Sequence, residues 1–144
     1  QRTGIDTGTR VLGVKGLCRT PDGGWLMGKR GPEVAFHPGA WEFVPGGSTS
    51  SGRTLQESIL VELSEESSWV SAGPPRPVAV LYDPSAFSWE VVYLMEVRPG
   101  SVPPSEGWEY ERVESVPAGR EPSPLAAVAR QMMRLRDGMT HERT

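Results

Sequence analysis

The sequence holds a single cysteine, Cys18, so it can neither close a disulfide within the chain nor build a cysteine zinc site. It also lacks any apolar run near the roughly 20 residues that a membrane-crossing helix needs. It does not open with the charged-then-apolar pattern of a signal segment. These absences point to a soluble protein of a reducing, cytoplasmic compartment, with no membrane partner. Positive charge is scarce as well: 15 Lys and Arg stand against 18 Asp and Glu, a formal net charge of −3. The arginines are scattered, with no basic stripe to neutralise a phosphate backbone, so binding to a nucleic-acid duplex is not expected. Cys18 lies in a strand-like run with Val14, Gly16 and Leu17 and is expected to be a buried, inert thiol.

Internal repeats and low-complexity blocks are absent too. What is present is 14 Pro and 17 Gly in 144 residues, with a modest apolar fraction of 37% that includes five Trp. That composition belongs to one domain of short elements separated by many turns. Residues 1–10 read as a flexible tail, 11–137 as a single domain, and 138–144 as a second tail. Val11 to Cys18 and Trp25 to Lys29 are β-like and are joined by Pro21-Asp22-Gly23-Gly24, which predicts a hairpin. "WEFV" is a short strand stopped by Pro45-Gly46-Gly47, and "AGPPRP" is a stiff connector. Val78 to Tyr82 and Trp89 to Val97 form a second strand pair, followed by the loop "RPGSVPPSEG" and a charged strand-like run, "WEYERVESV". Ser123 to Arg136 has helical spacing, with Ser123 as N-cap and Pro124 in the first turn. Strands interrupted by two helices predict an α/β or α+β fold.

Between the glycines and the connector lies "GGSTSSGRTLQESILVELSEESSWV", Gly46 to Val70. Thr54-Leu55-Gln56-Glu57 fits a capping box, which starts a helix at Thr54. At about 100° per residue, Glu62 and Glu66 fall within about 20° of Leu55, on the face that also carries Ile59 and Leu63. Glu65 lies beside them. Glu57, Val61 and Ser64 are placed on the outer face. A run of acids is ordinarily a solvated charge cluster. Carboxylates spaced i, i+3 and i+4 repel one another, however, and at the edge of a buried stripe they are partly desolvated. A hard divalent cation such as Mg²⁺ would relieve both penalties. On these residues alone, a metal site and a wet helix face both stay open.

The same residues resemble the Nudix hydrolases, which cleave nucleoside diphosphates linked to another group. Their box reads G-x5-E-x7-R-E-U-x-E-E-x-G-U, with U a bulky apolar residue. Here Gly47, Glu62, Leu63, Glu65, Glu66 and Trp69 match six of its nine defined positions. Arg53 stands at the first Glu of the box, Val61 at its Arg and Ser68 at its second Gly. The order "GWLMGKR", "GAWEFVPGG", box also follows the family. The resemblance implies an α/β/α sandwich around a central mixed β-sheet and a divalent-metal-dependent diphosphatase acting on a nucleotide or other organic diphosphate.

The resemblance also implies roles for particular residues. Glu62 and Glu66 would be the main ligands of Mg²⁺ or Mn²⁺, with Glu65 assisting or orienting the water and the carbonyl of Gly46 completing the shell. Gly46 and Gly47 would let the backbone approach the diphosphate, and Arg30 would contact phosphate unless it is only an exposed strand-end charge. Glu106 and Glu109 are the loop acids available as general base, unless they are plain surface acids. Trp41 and Trp108 are stacking candidates, against the alternative of core burial for each. Ser68 would occupy a left-handed position at the helix end, and the extra residue in "WEFVPGG" predicts a bulge. His37 is a candidate polar contact. A homodimer is compatible with the family and with the five Trp. The alternative, which Arg53 and Val61 would suit, is a Nudix-fold binding or regulatory domain that recognises a nucleotide-like ligand without hydrolysing it. A related isomerase acting on isopentenyl diphosphate lacks support, because Cys18 falls outside any recognisable site.

Overall fold

The turn at Pro21 to Gly24 sets the first element pair. Gly23 takes a φ of 85°, which glycine adopts without a Cβ penalty. The Thr20 amide donates to the Gly24 carbonyl at 2.9 Å, and the Gly23 amide to the Thr20 carbonyl at 3.0 Å. On either side run β1 (Val11–Arg19) and β2 (Trp25–Arg30). A computed structural model describes residues 11–142. The expected tail 1–10 and the end of the expected tail 138–144, residues 143 and 144, lie outside the described residues.

The first hairpin differs from the one expected, because its two strands pair only at Arg19 and Trp25 and then part. The edge of β2 that β1 leaves is taken by β3 (Trp41–Phe43), with Met27 opposite Phe43 and Lys29 opposite Trp41. The chain then crosses the fork. Val44 donates to the Leu26 carbonyl at 3.2 Å, and the Pro45 carbonyl accepts from Gly16 at 2.8 Å. Residues read as a glycine turn form β4 (Gly46–Ser48), antiparallel to β1 with Gly46 opposite Lys15 and Gly47 opposite Val14. The extra residue in "WEFVPGG" is absorbed in this step between strands. No bulge interrupts β3, and the irregularity in β2 lies instead at Lys29/Arg30, where it faces β8 (Tyr110–Val116).

After β4 come α1 (Leu55–Glu66), β5 (Trp69–Ser71), β6 (Arg76–Asp83), β7 (Ser88–Pro99), then β8 and α2 (Ala129–Glu142). Parallel pairing of β1 with β7 over nine residues is the spine, and β5 and β6 flank β7 antiparallel. The sheet is therefore mixed. Its period-2 alternation sends side chains to two cores. Leu17, Met27, Val92 and Leu94 pack with Met132 of α2. Val14, Cys18, Leu26, Tyr93 and Met95 pack with Ile59 and Leu63 of α1. This is an α/β/α sandwich. As expected, Cys18 is fully buried, and burial drives its thiol pKa well up.

The second helix starts at Ala129, six residues later than its apolar spacing implied, so Ser123 is not its N-cap. The segment before it is drawn to the edge of β3: Trp41 donates to the Pro124 carbonyl at 2.7 Å and accepts from Ala126 at 2.9 Å. Two sheet-type bonds there replace the first helical turn. Residues 138–142, expected as tail, continue the helix.

Candidate active site

Thr54 caps α1 as expected. Its hydroxyl accepts from the Glu57 amide at 3.0 Å, while the Glu57 carboxylate accepts from the Thr54 amide at 2.8 Å. That fixes the rotation of the helix. Ile59, Leu63 and Glu66 are buried, Glu62 and Glu65 half-buried, and Glu57 and Ser64 exposed. At the other end Ser67 is extended, with φ −148°, and the chain passes straight into β5. Ser68 is not among the positive-φ residues, so the missing family glycine costs nothing here. The orphan carbonyls of the last turn are met by the loop that precedes β8. Glu106 donates its amide to the Glu65 carbonyl at 2.8 Å and Ser105 to that of Ser64 at 3.4 Å.

Two glycines bring this helix against the sheet. A Cβ on Gly47 would lie 2.4 Å from the carboxyl carbon of Glu62, so the missing side chain makes room for that carboxylate. The Gly46 amide donates to Glu66 Oε1 at 3.2 Å. On the opposite side of β4 a Cβ on Gly46 would meet Lys15 Nζ at 3.0 Å. Glu62 and Glu66 thus lie against one side of the glycine strand and Lys15 against the other.

The electrostatics are severe. Burial first, then the charge of Glu109 and the hydrogen bonding and charge of the neighbouring Glu62 carboxyl, push the Glu66 pKa up to about 10. Glu62 is raised by burial and by Glu65, Glu109 and Glu106. Glu109 is raised by burial against the opposing pull of Arg30. Such a set holds a proton for want of another cation. Among the described residues no three His, Cys, Asp or Glu side chains form a ready-made metal cage. The pair Glu62 and Glu66 still fits Mg²⁺, which commonly takes one or two carboxylates and completes its shell with waters and substrate phosphate oxygens.

Arg30 is not the exposed strand-end charge of the simpler alternative. Its Nη1 donates to Glu42 Oε2 at 2.8 Å and to Glu109 Oε2 at 3.0 Å, and its Nε to the Phe36 carbonyl at 2.7 Å. Tyr110 Oη donates to the same Glu42 oxygen at 2.6 Å. Arg30 is therefore a clamp on Glu109 and on the Phe36 loop. Trp41 departs from its substrate-binding assignment: it is 5% exposed, in the core beneath α2. Trp108 is 72% exposed, which excludes the alternative of core burial for it. Glu106 is exposed, whereas Glu109 is half-buried beside the acids.

A cavity of about 560 Å³ opens from the fork between β1 and β2, lined by Lys15, Arg30, Glu42, Gly46, Gly47 and Glu109, with His37 at its loop side. It continues outward past Gly13 and Glu90 toward Phe36, Asp83 and Phe87. Sequence reasoning missed Lys15, Glu42 and Glu90. A charged residue at alternate strand positions carries no signal of its own, and these meet only because the two strands part.

No family model matches the sequence, and no curated protein matches it. Solved structures do share the fold. A MutT Nudix hydrolase from Burkholderia pseudomallei is 19% identical with a TM-score of 0.69, covering 88% of this chain and 97% of that one. An ADP-ribose pyrophosphatase from Streptococcus suis is 19% identical with a TM-score of 0.66, covering 88% and 89%. The Nudix domain of Shewanella oneidensis NrtR, solved with ADP-ribose, is 18% identical with a TM-score of 0.68, covering 94% of each. The mixed sheet between α1 and α2 is the Nudix fold.

Proposed function

We propose that this protein is a Nudix-type hydrolase that depends on Mg²⁺ or Mn²⁺ and cleaves a diphosphate bond in a nucleoside diphosphate linked to another group. The observation that carries this reading is the seating of Glu62 and Glu66 against the side-chain-free strand Gly46–Gly47, whose glycines line an open cavity together with Glu109. A diphosphate brings more negative charge to a carboxylate-lined site, so it can settle there only together with cations.

Glu62 and Glu66 would hold the metal, with Glu65 and the Gly46 carbonyl as supplementary ligands. When bound, the metal supplies neutralisation of the diphosphate oxygens and a more acidic attacking water. Gly46 and Gly47 let the backbone approach the diphosphate, and Lys15 offers it a countercharge. Water attacks one phosphorus in line, the bridging P–O bond breaks, and the water's proton passes to Glu109. Arg30 positions Glu109 by their 3.0 Å bond. Glu109 is preferred to Glu106 as base because it is half-buried against Glu66, while Glu106 is exposed.

The test is release of nucleoside monophosphate or phosphate from a panel of nucleoside diphosphate derivatives with Mg²⁺, lost in Glu66→Gln. A second reading, a domain that binds such a ligand without cleaving it, is favoured by exposed Arg53 and half-buried Val61, which replace two of the five charged residues of the box, its first Glu and its Arg. A rise in melting temperature with nucleotide, but no turnover across the panel, would establish that reading instead.

A further inference from the structure

Glu90 has no part in the chemistry above, yet it is built into the same cavity. It is 5% exposed, and its register partner across the parallel pair is Gly13. A Cβ on Gly13 would lie 2.4 Å from Glu90 Oε1, so glycine is what permits this carboxylate its place. Ser88 donates to Glu90 Oε2. Among the described residues Oε1 takes part in no hydrogen bond, although Glu90 lines the cavity. Glu90 feels the charge of Lys15, and its Oε1 is open to the cavity rather than sealed in the core, so it is free to accept from a ligand's donors. Gly13 lies two residues along β1 from Lys15, roughly 7 Å. A ribose can bridge that span from a phosphate held near Gly46.

The cavity's outer wall is aromatic. Phe36 is 70% exposed, and its carbonyl is held at 2.7 Å by Arg30, the residue that clamps Glu109. The backbone that carries the ring is thereby tied to Arg30. Phe87 lines the same cavity. An exposed ring beside a buried acceptor is the arrangement that stacks a planar heterocycle and reads its edge.

We propose that Glu90 and Phe36 form a nucleobase subsite selective for a base with two adjacent N–H donors, the guanine type, over adenine. Glu90 would accept the adjacent N1–H and N2–H₂ donors of guanine, one at Oε1 and one at the acceptor site of Oε2 that the Ser88 hydroxyl leaves open. Against adenine it meets one amino group and a ring-nitrogen acceptor, which it repels. The inference rests on the hydrolase reading for the orientation of the nucleotide, but its test needs no turnover.

Binding of GMP and AMP, neither of which has a diphosphate bond to cleave, is measured by calorimetry on the wild type in excess EDTA and again with Mg²⁺. GMP is expected to bind roughly 10-fold or more tighter than AMP in at least one condition, the discrimination a good bidentate base contact supplies. Glu90→Gln should bring the two within about twofold, since the amide presents one donor and one acceptor. Phe36→Ala should weaken both nucleotides together. Equal affinities in the wild type, as contact with the ribose diol alone would give, overturn the subsite. So does a guanine preference that survives Glu90→Gln, or a failure of both nucleotides to bind. GMP selectivity without hydrolysis of any guanosine diphosphate derivative would instead leave the subsite standing and remove the hydrolase reading.

Discussion

Glu66 is 4% exposed, accepts one backbone amide at 3.2 Å, and shares its surroundings with Glu62 and Glu109. Without a cation this is an unfavourable place for a carboxylate, so function and stability pull against each other at one residue. Glu66→Gln is expected to stabilise the metal-free protein at pH 8 by about 1 kcal/mol or more, because the folded wild type must hold there a proton that the unfolded chain releases. The same substitution should abolish the rise in melting temperature that Mg²⁺ gives the wild type. Thermal melts in EDTA and in Mg²⁺ read both effects, and a Glu66→Gln variant less stable than wild type in EDTA would contradict the electrostatic account. Gly47→Ala separates geometry from charge. Its Cβ would displace only the flexible end of Glu62, so stability should change by less than about 1 kcal/mol. Hydrolysis should fall about 100-fold, the penalty of moving a positioning group by about 1 Å. Glu62 and Glu66 were legible in the sequence because the helical period placed them with Leu55 and Ile59. Lys15, Glu42 and Glu90 were not, since a lone charge on a strand looks the same whether it faces water or a cavity.

At the scale of elements, α1 is defined at both ends by hydrogen bonds of different legibility. The Thr54 and Glu57 capping box is local and was readable. The C-terminal cap comes from Ser105 and Glu106, some 40 residues away in sequence, and no local pattern announces it. This long-range cap gives the loop a structural task independent of its carboxylates. Glu106→Ala keeps the amide and should cost less than about threefold in kcat/KM, as a surface substitution. Glu106→Pro removes the amide that bonds Glu65 at 2.8 Å, which should cost about 1 kcal/mol or more in stability and slacken the loop that carries Glu109. Glu109→Ala, which removes the proposed base, should lower kcat by about 100-fold or more. Kinetics on the three variants distinguish the roles. A large loss in Glu106→Ala would move the base from Glu109 to Glu106. The late start of α2 follows the same lesson, because edge pairing of Pro124 and Ala126 with Trp41 outcompetes a turn that the sequence alone favours.

Across the whole molecule, the parting of β1 from β2 is the feature from which the rest follows. It lets one segment pair first with β2 as β3 and then with β1 as β4, and it leaves a cavity lined by acids from β3, β6, β7 and the loop before β8, with the α1 acids packed against the glycine strand at its wall. Neither strand's own sequence shows the fork. The molecule therefore concentrates its carboxylates in one place, and its stability should report on their protonation. For Glu66 the folded-state pKa, about 10, lies above the reference value of 4.5. The folded state then binds more protons than the unfolded state between those limits. Its contribution is fully present below about pH 4.5 and is lost as pH rises toward about 10, at up to about 1.4 kcal/mol per pH unit. Depressed carboxylates elsewhere would give the opposite slope, so the comparison that isolates this site is wild type against Glu66→Gln across pH 5 to 9 in EDTA. The difference in stability between them should widen steadily with pH, in favour of the variant. Saturating Mg²⁺ should flatten or reverse that trend in the wild type, because a cation that binds the ionised pair draws the folded state toward its charged form. A wild-type pH profile unchanged by Mg²⁺, parallel to that of the variant, would mean that Glu62 and Glu66 do not hold the metal.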